Sequence, residues 1–400
     1  MRITLVALGS RGDVQPFIAL AVGIQKTGRH QVLLAAPDNF EVQAREYNLN
    51  FLPLEVDTQK MLGTGGIDPG KNTLLWLSQV LCSMKPLIER IAENTWLACQ
   101  DADLVIYSMM GIAGYHAAEK LGVPCMMAVP IPGFAPTSAY PNPNGIFPAL
   151  PMGGGYNRMT HLISLFLFQL FTGPMINRWR KGKLQLPATP FGKYPYFQMN
   201  GRPQPIIGSY SPIISPKPDD WGKNIYLTGY WFLDPPANWQ PPPTLMNFIN
   251  AGAPPVYIGF GSMANRSPQK TTQLVVDALA RTGQRGILAA GWGGLDQTLL
   301  PDTIFALDSV PHTWLFPRMA AIIHHGGAGT TAAGLRAGIP SMLVPHMGDQ
   351  HFWAKRVEEL GVGPQSIPHR KLTAERLANA ITIATKDQDM QARAAALGER

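Results

Sequence analysis

At residues 324–334 the sequence reads HHGGAGTTAAG. An apolar run precedes this stretch and a helical pattern follows it, so it is typical of a turn between a buried strand and a helix. Glycines at such a turn let backbone N–H groups approach an anion, and the helix N-terminus adds about half a positive charge. Tight packing alone also calls for glycine, but the histidine pair and the threonines favour an anion site. The stretch therefore predicts a phosphate-binding turn.

Alternation of strands and helices extends from this turn through most of the chain. The predicted strands of the C-terminal part lie at 256–260, 287–290, 304–307, 321–324 and 341–344. Those of the N-terminal part lie at 3–8, 31–35, 104–107 and 124–129. Such alternation implies right-handed crossovers and parallel sheets covered by helices. We therefore predict an α/β protein with two doubly wound, Rossmann-like domains.

Consecutive prolines mark the expected domain boundary, where residues 234–243 read DPPANWQPPP. Such a run favours an extended, semi-rigid spacer. We predict an N-terminal domain at 1–233, a Pro-rich linker at 234–255 and a C-terminal domain at 256–385. A tail at 386–400 is expected to pack back on the N-terminal domain.

The composition excludes several classes of protein. Apolar residues make up 46% of the chain, so it is not disordered. The 400 residues include 37 prolines, so it is not a coiled coil. The net charge of +7 is dispersed, which disfavours nucleic acid but permits attraction to anionic lipid or a phosphorylated small molecule. Three cysteines are a sparse, odd set that suits a reducing compartment, and we expect a cytoplasmic protein.

The regular alternation breaks between residues 130 and 217. There the apolar segment LISLFLFQLF at 162–171 stands among Pro- and Gly-rich loops. It is either a core helix of the first domain or an inserted element that shapes a binding site. The basic residues that follow at 178–183 also allow a shallow, peripheral membrane contact.

Several motifs around the glycine turn point to one protein family. These are VPHTWLFP at 310–317, GIP at 338–340, VPHMGDQ at 344–350 and, near the N-terminus, GSRGDVQP at 9–16. Together they resemble the signatures of family 1 glycosyltransferases of the GT-B fold. They are most similar to the branch that contains sterol 3-beta-glucosyltransferases and the glycosyltransferases of glycopeptide antibiotics. The resemblance implies two domains that face across a cleft. It does not extend to residues 135–220, where this family selects its acceptor.

The resemblance also implies the residues that hold a nucleotide-sugar donor. His325 is the implied ligand of the diphosphate, and the main chain near Val310 is implied to contact the uracil base. The remaining implied diphosphate ligands are Ser262, Gly327, Ala328, Gly329 and Thr330. Asp349 and Gln350 are implied to bind sugar hydroxyls, and a role as N-cap of the following helix is the alternative for Asp349. Trp292 offers a stacking face for the base, or packs behind a strand.

Asp13 is the predicted general base, because its carboxylate stands where the first helix begins. Displacement at an anomeric carbon requires the acceptor hydroxyl to lose its proton, and a carboxylate within reach accepts it. A structural role as a cap of the helix is compatible with this one. Ser10, Arg11 and Gly12 lie in the same loop and are predicted donor contacts. Plant members of the family carry a histidine at the place of Asp13. An aspartate near the end of a later strand orients that histidine, and this chain has Tyr107 and Ser108 at the comparable place.

These observations predict an inverting, metal-independent hexosyltransferase without a cofactor. It would transfer a hexose, with glucose the first expectation, from a UDP- or dTDP-sugar to a hydroxyl of a sterol, polyketide, phenolic or lipid acceptor. A nucleotide-sugar epimerase or hydrolase on the same fold is the alternative enzyme. A non-catalytic helper of another glycosyltransferase is the alternative binding protein. Asp101 and Asp103 match the spacing of a metal-binding carboxylate pair, but they favour a polar entry to the next strand.

Overall fold

The fold is taken from a computed structural model. It describes residues 1–57, 73–144, 147–148, 150–192, 197–199, 201–260, 268–289 and 300–400, without the side chains of 73–85 and 268. The chain divides into two compact units. Unit 1 comprises residues 1–142 and 146–233, and unit 2 comprises 143–145 and 234–400. Both units are built on a parallel sheet, which confirms the predicted α/β class.

Unit 1 contains nine strands and five α-helices within the described residues. Its strands are β1 Arg2–Val6, β2 Gln31–Ala36, β3 Asn50–Pro53, β4 Leu104–Ser108, β5 Cys125–Val129, β6 Gln198–Met199, β7 Arg202–Pro203, β8 Ile206–Gly208 and β9 Ile225–Leu227. Its α-helices are α1 Arg11–Lys26, α2 Glu41–Glu46, α3 Thr73–Cys99, α4 Ala113–Leu121 and α5 Gly153–Trp179. Seven strands form one parallel sheet in the order β3-β2-β1-β4-β5-β8-β9. Strand β1 is therefore an interior strand, and the loop that follows it opens at the carboxyl edge of the sheet.

Apolar side chains fill both faces of the unit 1 sheet. Alternate residues of β1 pack into opposite clusters: Leu5 lies with Phe17 of α1, and Val6 lies with Tyr107 and the residues of α4. All four of these side chains are buried. Strands covered on both sides are expected to read as continuous apolar runs, which is why the sequence pattern identified them.

Unit 2 has a five-stranded parallel sheet in the order β12-β11-β10-β13-β14. Its strands are β10 Val256–Gly259, β11 Gly286–Ala289, β12 Ile304–Leu307, β13 Ala321–His324 and β14 Ser341–Leu343. Its α-helices are α6 Pro243–Asn250, α7 Pro268–Thr282, α8 His312–Leu315, α9 Ala328–Arg336, α10 Gln350–Glu359, α11 Ala374–Lys386 and α12 Gln388–Gly398. Strand β13 pairs with β10 and β14, so the glycine turn that follows it emerges between two neighbouring strand ends.

The Pro-rich segment at 234–255 is not an extended spacer throughout. Pro243 begins α6, where a missing N–H costs nothing, and Leu245 of that helix is fully buried in unit 2. Trp239 packs edge-on against Trp314 at 5.3 Å between ring centroids. The prolines therefore begin a packed element of unit 2. At the other end of this unit, α12 packs close to Gly338, and the side chain of Arg393 donates to the Gly361 carbonyl.

Candidate functional site

The glycine turn of unit 2 is held in shape by the first of the paired histidines. His324 is fully buried, and its Nδ1 accepts a hydrogen bond of 3.0 Å from the amide of Gly326. Burial lowers the pKa of His324 well below its usual value, and the neighbouring His325 and His312 add to this effect. The ring is therefore neutral with Nδ1 as the acceptor, and its role is to fix the turn.

The turn requires glycine at position 326 for two reasons. Gly326 has a φ of +94°, a conformation that residues with a side chain rarely adopt. A Cβ atom there would also lie 3.2 Å from the Cβ and the carbonyl oxygen of Gln350. The predicted diphosphate turn is thus in direct contact with Gln350, one of the residues predicted to bind the sugar.

Helix α9 begins at this turn, with Gly327 as its N-cap. The first hydrogen bond of the helix runs from the amide of Thr331 to the carbonyl of Gly327, 2.9 Å away. Helix geometry leaves the amides of the preceding residues Ala328, Gly329 and Thr330 without a partner inside the helix. Gly329 is exposed and Thr330 is half-buried. These amides are the predicted phosphate donors, and they lie together at an accessible helix N-terminus.

His325 lies over the same helix N-terminus. A Cβ atom on Gly327 would come within 2.6 Å of the His325 Nε2, so the imidazole occupies the space beside that glycine. Burial lowers the pKa of His325 to about 4, against a smaller opposing effect of the Gly259 main chain. The Nδ1 atom is buried. A neutral imidazole can donate one hydrogen bond to a diphosphate without bringing a buried charge.

Gln350 and Asp349 begin helix α10, and both already have protein partners. The side-chain oxygen of Gln350 accepts from the amides of His346 and Met347 at 2.7 and 3.2 Å. Asp349 occupies the N-cap position without capping through its side chain, and its Oδ2 accepts from the indole of Trp353 at 2.8 Å. The alternative role of Asp349 as an N-cap therefore holds for its position only. These contacts fix the orientation of both side chains at the edge of unit 2.

His346 is a residue that the sequence analysis did not select. Its ring stacks on His369 at 4.1 Å, and burial lowers its pKa to about 4, with His369 and His325 contributing. Its Nε2 is buried and has no hydrogen-bond partner among the described residues. The signal was available, because His346 stands inside the motif that supplied Asp349 and Gln350.

In unit 1, Asp13 lies in the first turn of α1 and accepts two hydrogen bonds from Ser10. The Ser10 amide and hydroxyl both donate to its Oδ2, at 2.8 and 3.0 Å. Gly9 has a φ of +137°, and a Cβ atom on it would lie 2.3 Å from this oxygen. Asp13 thus has the structural role expected of a first-turn carboxylate, and the loop closes tightly around it.

The environment of Asp13 favours the protonated carboxyl. Burial raises the pKa of Asp13, and the two hydrogen bonds from Ser10 lower it by a smaller amount. A raised pKa makes the carboxylate a stronger base than an exposed aspartate. The predicted catalytic residue therefore has the direction of pKa shift that general base catalysis near neutral pH requires.

The loop that carries Asp13 is anchored to the end of strand β4. The hydroxyl of the buried Ser108 accepts from the amides of Leu8 and Gly111, at 3.0 and 3.2 Å. Ser108 therefore positions the loop that carries Asp13. Arg11 is exposed and donates through Nε to the Gln15 side chain at 3.0 Å, and Gly12 is exposed.

The remaining predicted contacts are Val310, Ser262 and Trp292, and the predicted polar strand entry is Asp101 and Asp103. Val310 is buried, and its side chain lies in the core of unit 2. Ser262 and Trp292 lie outside the described residues. Asp101 and Asp103 both pair with Arg2, and the Arg2 amide donates to Asp103 at 2.7 Å. This confirms that the two carboxylates are a polar strand entry.

Comparison with protein families identifies a domain in each half of the chain. Residues 3–140 match the N-terminal domain of glycosyltransferase family 28. Residues 274–400 match the C-terminal domain of the erythromycin biosynthesis protein CIII-like type. The two matches contain Asp13 and the glycine turn respectively.

Three individual proteins that are similar to the chain are described as glycosyltransferases. A sterol 3-beta-glucosyltransferase of Cryptococcus neoformans is 38% identical over all of this chain. The chain spans only 26% of that relative's length. The solved glycosyltransferase of kitacinnamycin has a TM-score of 0.70 at 17% identity, with 100% of this chain and 94% of that one covered. Glycosyltransferase VinC in complex with dTDP has a TM-score of 0.66 at 19% identity, with 100% and 94% covered. These structures share the fold.

Proposed function

Because the chain belongs to the glycosyltransferases of the GT-B fold, we propose that it transfers a hexose from a nucleoside diphosphate sugar to the hydroxyl of an apolar acceptor. Unit 2 binds the donor in this proposal, and unit 1 supplies the base. Glucose is the first sugar to test and a sterol the first acceptor, since the curated relative is described as a sterol 3-beta-glucosyltransferase.

One observation carries the donor assignment, namely the accessible N-terminus of α9 beside the neutral His325. A diphosphate placed there accepts hydrogen bonds from the amides of the first turn and from the imidazole. As the bond to the sugar breaks, negative charge grows on the diphosphate, and oriented donors that already point at it stabilise the transition state. In this proposal these groups take the place of a metal ion.

Asp13 acts as the general base of the proposed reaction. The bond between the acceptor oxygen and the anomeric carbon forms as the bond from that carbon to the diphosphate oxygen breaks. The acceptor proton passes to the Asp13 carboxylate, and the bonding electron pair leaves with the diphosphate. A single displacement of this kind inverts the configuration at the anomeric carbon. The hydrogen bonds from Ser10 hold the carboxylate for this step.

The nucleotide is proposed to be UDP or dTDP. VinC was solved with dTDP, while Val310 stands in a motif that resembles that of uridine-dependent enzymes. The base contacts that would decide between them include Trp292, outside the described residues.

The decisive experiment has two stages. Isothermal titration with UDP-glucose and dTDP-glucose should detect binding of at least one of them, and the His325→Ala variant should weaken it. Mass spectrometry of reactions with a sterol, flavonoid and macrolide panel should then detect a hexose added to an acceptor, with and without a chelator. Absence of binding for every sugar nucleotide tested refutes the donor site. Donor consumption that requires no acceptor and forms no glycoside supports the epimerase or hydrolase instead.

A further inference from the structure

Helix α5 exposes an apolar row to its surroundings. The helix runs over Gly153–Trp179 and continues through a π turn to Leu184. Met159, Leu162, Phe166 and Leu170 follow one another at helical spacing, and each is between 43% and 47% exposed. Phe191 packs edge-to-face on Phe166 at 5.1 Å and extends the row. Seven of the fourteen exposed large apolar side chains in the described part of the chain lie between residues 150 and 191.

The opposite face of α5 is buried and carries polar side chains. Gln169 donates to the Pro190 carbonyl at 3.0 Å and accepts from the Gly192 amide at 2.8 Å. The buried His161 contacts the Tyr140 carbonyl through Nε2 at 3.1 Å. At the start of the π turn, the buried Arg180 forms an ion pair with Glu119 and also donates to the Pro187 carbonyl.

The buried face of α5 also includes the apolar Leu165, Ile176 and Trp179, so what sets this helix apart is an outer face that is apolar where a surface helix usually exposes polar residues. The outer side chains of α5 contribute little to the core of unit 1, because they point away from it. Their apolar character therefore indicates a contact with an apolar medium outside the unit.

The charge around α5 identifies that medium. Residues 121–218 contain eight lysines and arginines and no aspartate or glutamate, while the rest of the chain has 25 basic and 26 acidic residues. The excess positive charge of the protein, expected above to be dispersed, is thus concentrated in the segment that carries the apolar row, and Asp219 and Asp220 directly follow that segment. Arg158 lies near one end of the row and Arg178, Lys181 and Lys183 near the other, all exposed. Arg178 and Lys183 also reach acidic residues of α3, at 3.7 and 3.1 Å, and Arg158 lies 3.9 Å from Asp220.

We propose that the outer face of α5 docks unit 1 on the surface of a membrane that contains anionic lipid. The apolar row inserts at the boundary between headgroups and acyl chains, and the flanking cations face the lipid phosphates. The helix lies in the interface and does not span the bilayer. It is long and apolar enough to cross a membrane, but crossing would expose its buried polar face to hydrocarbon.

A vesicle assay tests this proposal. The full chain is sedimented with vesicles of phosphatidylcholine, alone or mixed with phosphatidylglycerol. Wild type should bind the mixed vesicles, bind less to the neutral ones, and lose affinity in high salt. The triple variant Leu162→Gln/Phe166→Gln/Leu170→Gln should reduce the partition coefficient at least about tenfold, because three apolar side chains no longer insert.

The matched control is Val42→Gln/Leu97→Gln/Ile383→Gln. It replaces three apolar side chains that are exposed elsewhere, at 73%, 56% and 38% of their surface. This control should bind vesicles as wild type does. The same loss in both triple variants overturns the proposal, as does full retention in the variant of the row. A dimer in light scattering that the row variant dissociates, without vesicle binding by wild type, identifies a second copy as the occupant and also overturns it.

Two measurements keep this test independent of folding and of sugar transfer. Titration with the donor reports on unit 2, so a row variant that loses vesicles but keeps donor affinity supports the proposal and leaves the proposed function untouched. A single variant, Phe166→Trp, keeps an aromatic ring in the row. The fluorescence spectrum of the introduced tryptophan is obtained by subtracting the wild-type spectrum, and it should shift to shorter wavelength on anionic vesicles. An unchanged spectrum of vesicle-bound protein overturns the proposed orientation of α5.

Discussion

Replacing Asp13 with asparagine separates the chemical role of this residue from its structural one. Asparagine has the same shape as aspartate and retains a side-chain oxygen. That oxygen can accept the hydrogen bond that the Ser10 amide donates to Asp13 at 2.8 Å in wild type. The close approach to Gly9 is kept as well. The variant therefore removes the capacity to accept a proton and leaves the loop in place.

The expected loss in kcat is large. A positioned general base contributes about 10²–10⁴ in rate, which corresponds to roughly 3–5.5 kcal/mol in the activation free energy. Donor affinity should stay near that of wild type, because the proposed diphosphate site consists of other residues. The assay is the initial rate of diphosphate release at saturating donor and acceptor, with the donor Kd from calorimetry.

Stability should change in the opposite direction. Burial raises the pKa of Asp13, so the folded protein favours the protonated carboxyl. The resulting contribution to the free energy of unfolding is present below the ordinary pKa of aspartate. It is lost as the pH rises through the higher pKa that Asp13 has in the folded protein. At neutral pH the ionised carboxylate is therefore a cost to the fold that asparagine does not carry. Asp13→Asn should melt at the same temperature as wild type or at a higher one.

A matched control is Asp101→Asn, which makes the same change at a carboxylate whose side chain is 89% exposed. It should leave both kcat and Tm unchanged, since an exposed ion pair is worth little. A kcat for Asp13→Asn within fivefold of wild type would refute the role of Asp13 as the base.

Three more predictions concern the loop that carries Asp13 and the glycine turn that carries His325. In wild type the Ser10 hydroxyl donates to Asp13 at 3.0 Å, and this hydrogen bond lowers the pKa of Asp13. Ser10→Ala removes it, so the acidic limb of the profile of kcat/KM against pH should move to higher pH. An unchanged or lower midpoint contradicts this prediction. His325→Ala should raise the donor Kd about 10- to 150-fold, the worth of one hydrogen bond to a charged group, and calorimetry measures it. Because the His325 pKa is about 4, its contribution to wild-type affinity should be constant between about pH 6 and 9. Gly9→Ala should lower Tm and activity, since its Cβ would lie 2.3 Å from the Asp13 oxygen, whereas Gly23→Ala in the open interior of α1 should be tolerated.

Sequence reasoning identified most of the sheet strands because each is a short apolar run between turn signals, and local patterns of this kind survive folding. It was less accurate where packing overrides local composition. Prolines at 234–243 predict a spacer, yet α6 starts among them because Leu245 finds a buried site in unit 2. The apolar segment at 162–171 reads as a core helix or an inserted element, but apolar content alone does not say which face points inward.

The candidate site divides in the same way. By itself, the sequence determined which residues are the candidates for the chemistry: a glycine turn after two histidines and a carboxylate at the start of the first helix. Only the tertiary structure decided their states. It made His325 neutral by burying it, brought Gln350 against Gly326, and tied Leu8 to Ser108, 100 residues away. Desolvation and long-range contacts depend on what surrounds a residue in space, and a linear pattern does not contain that information.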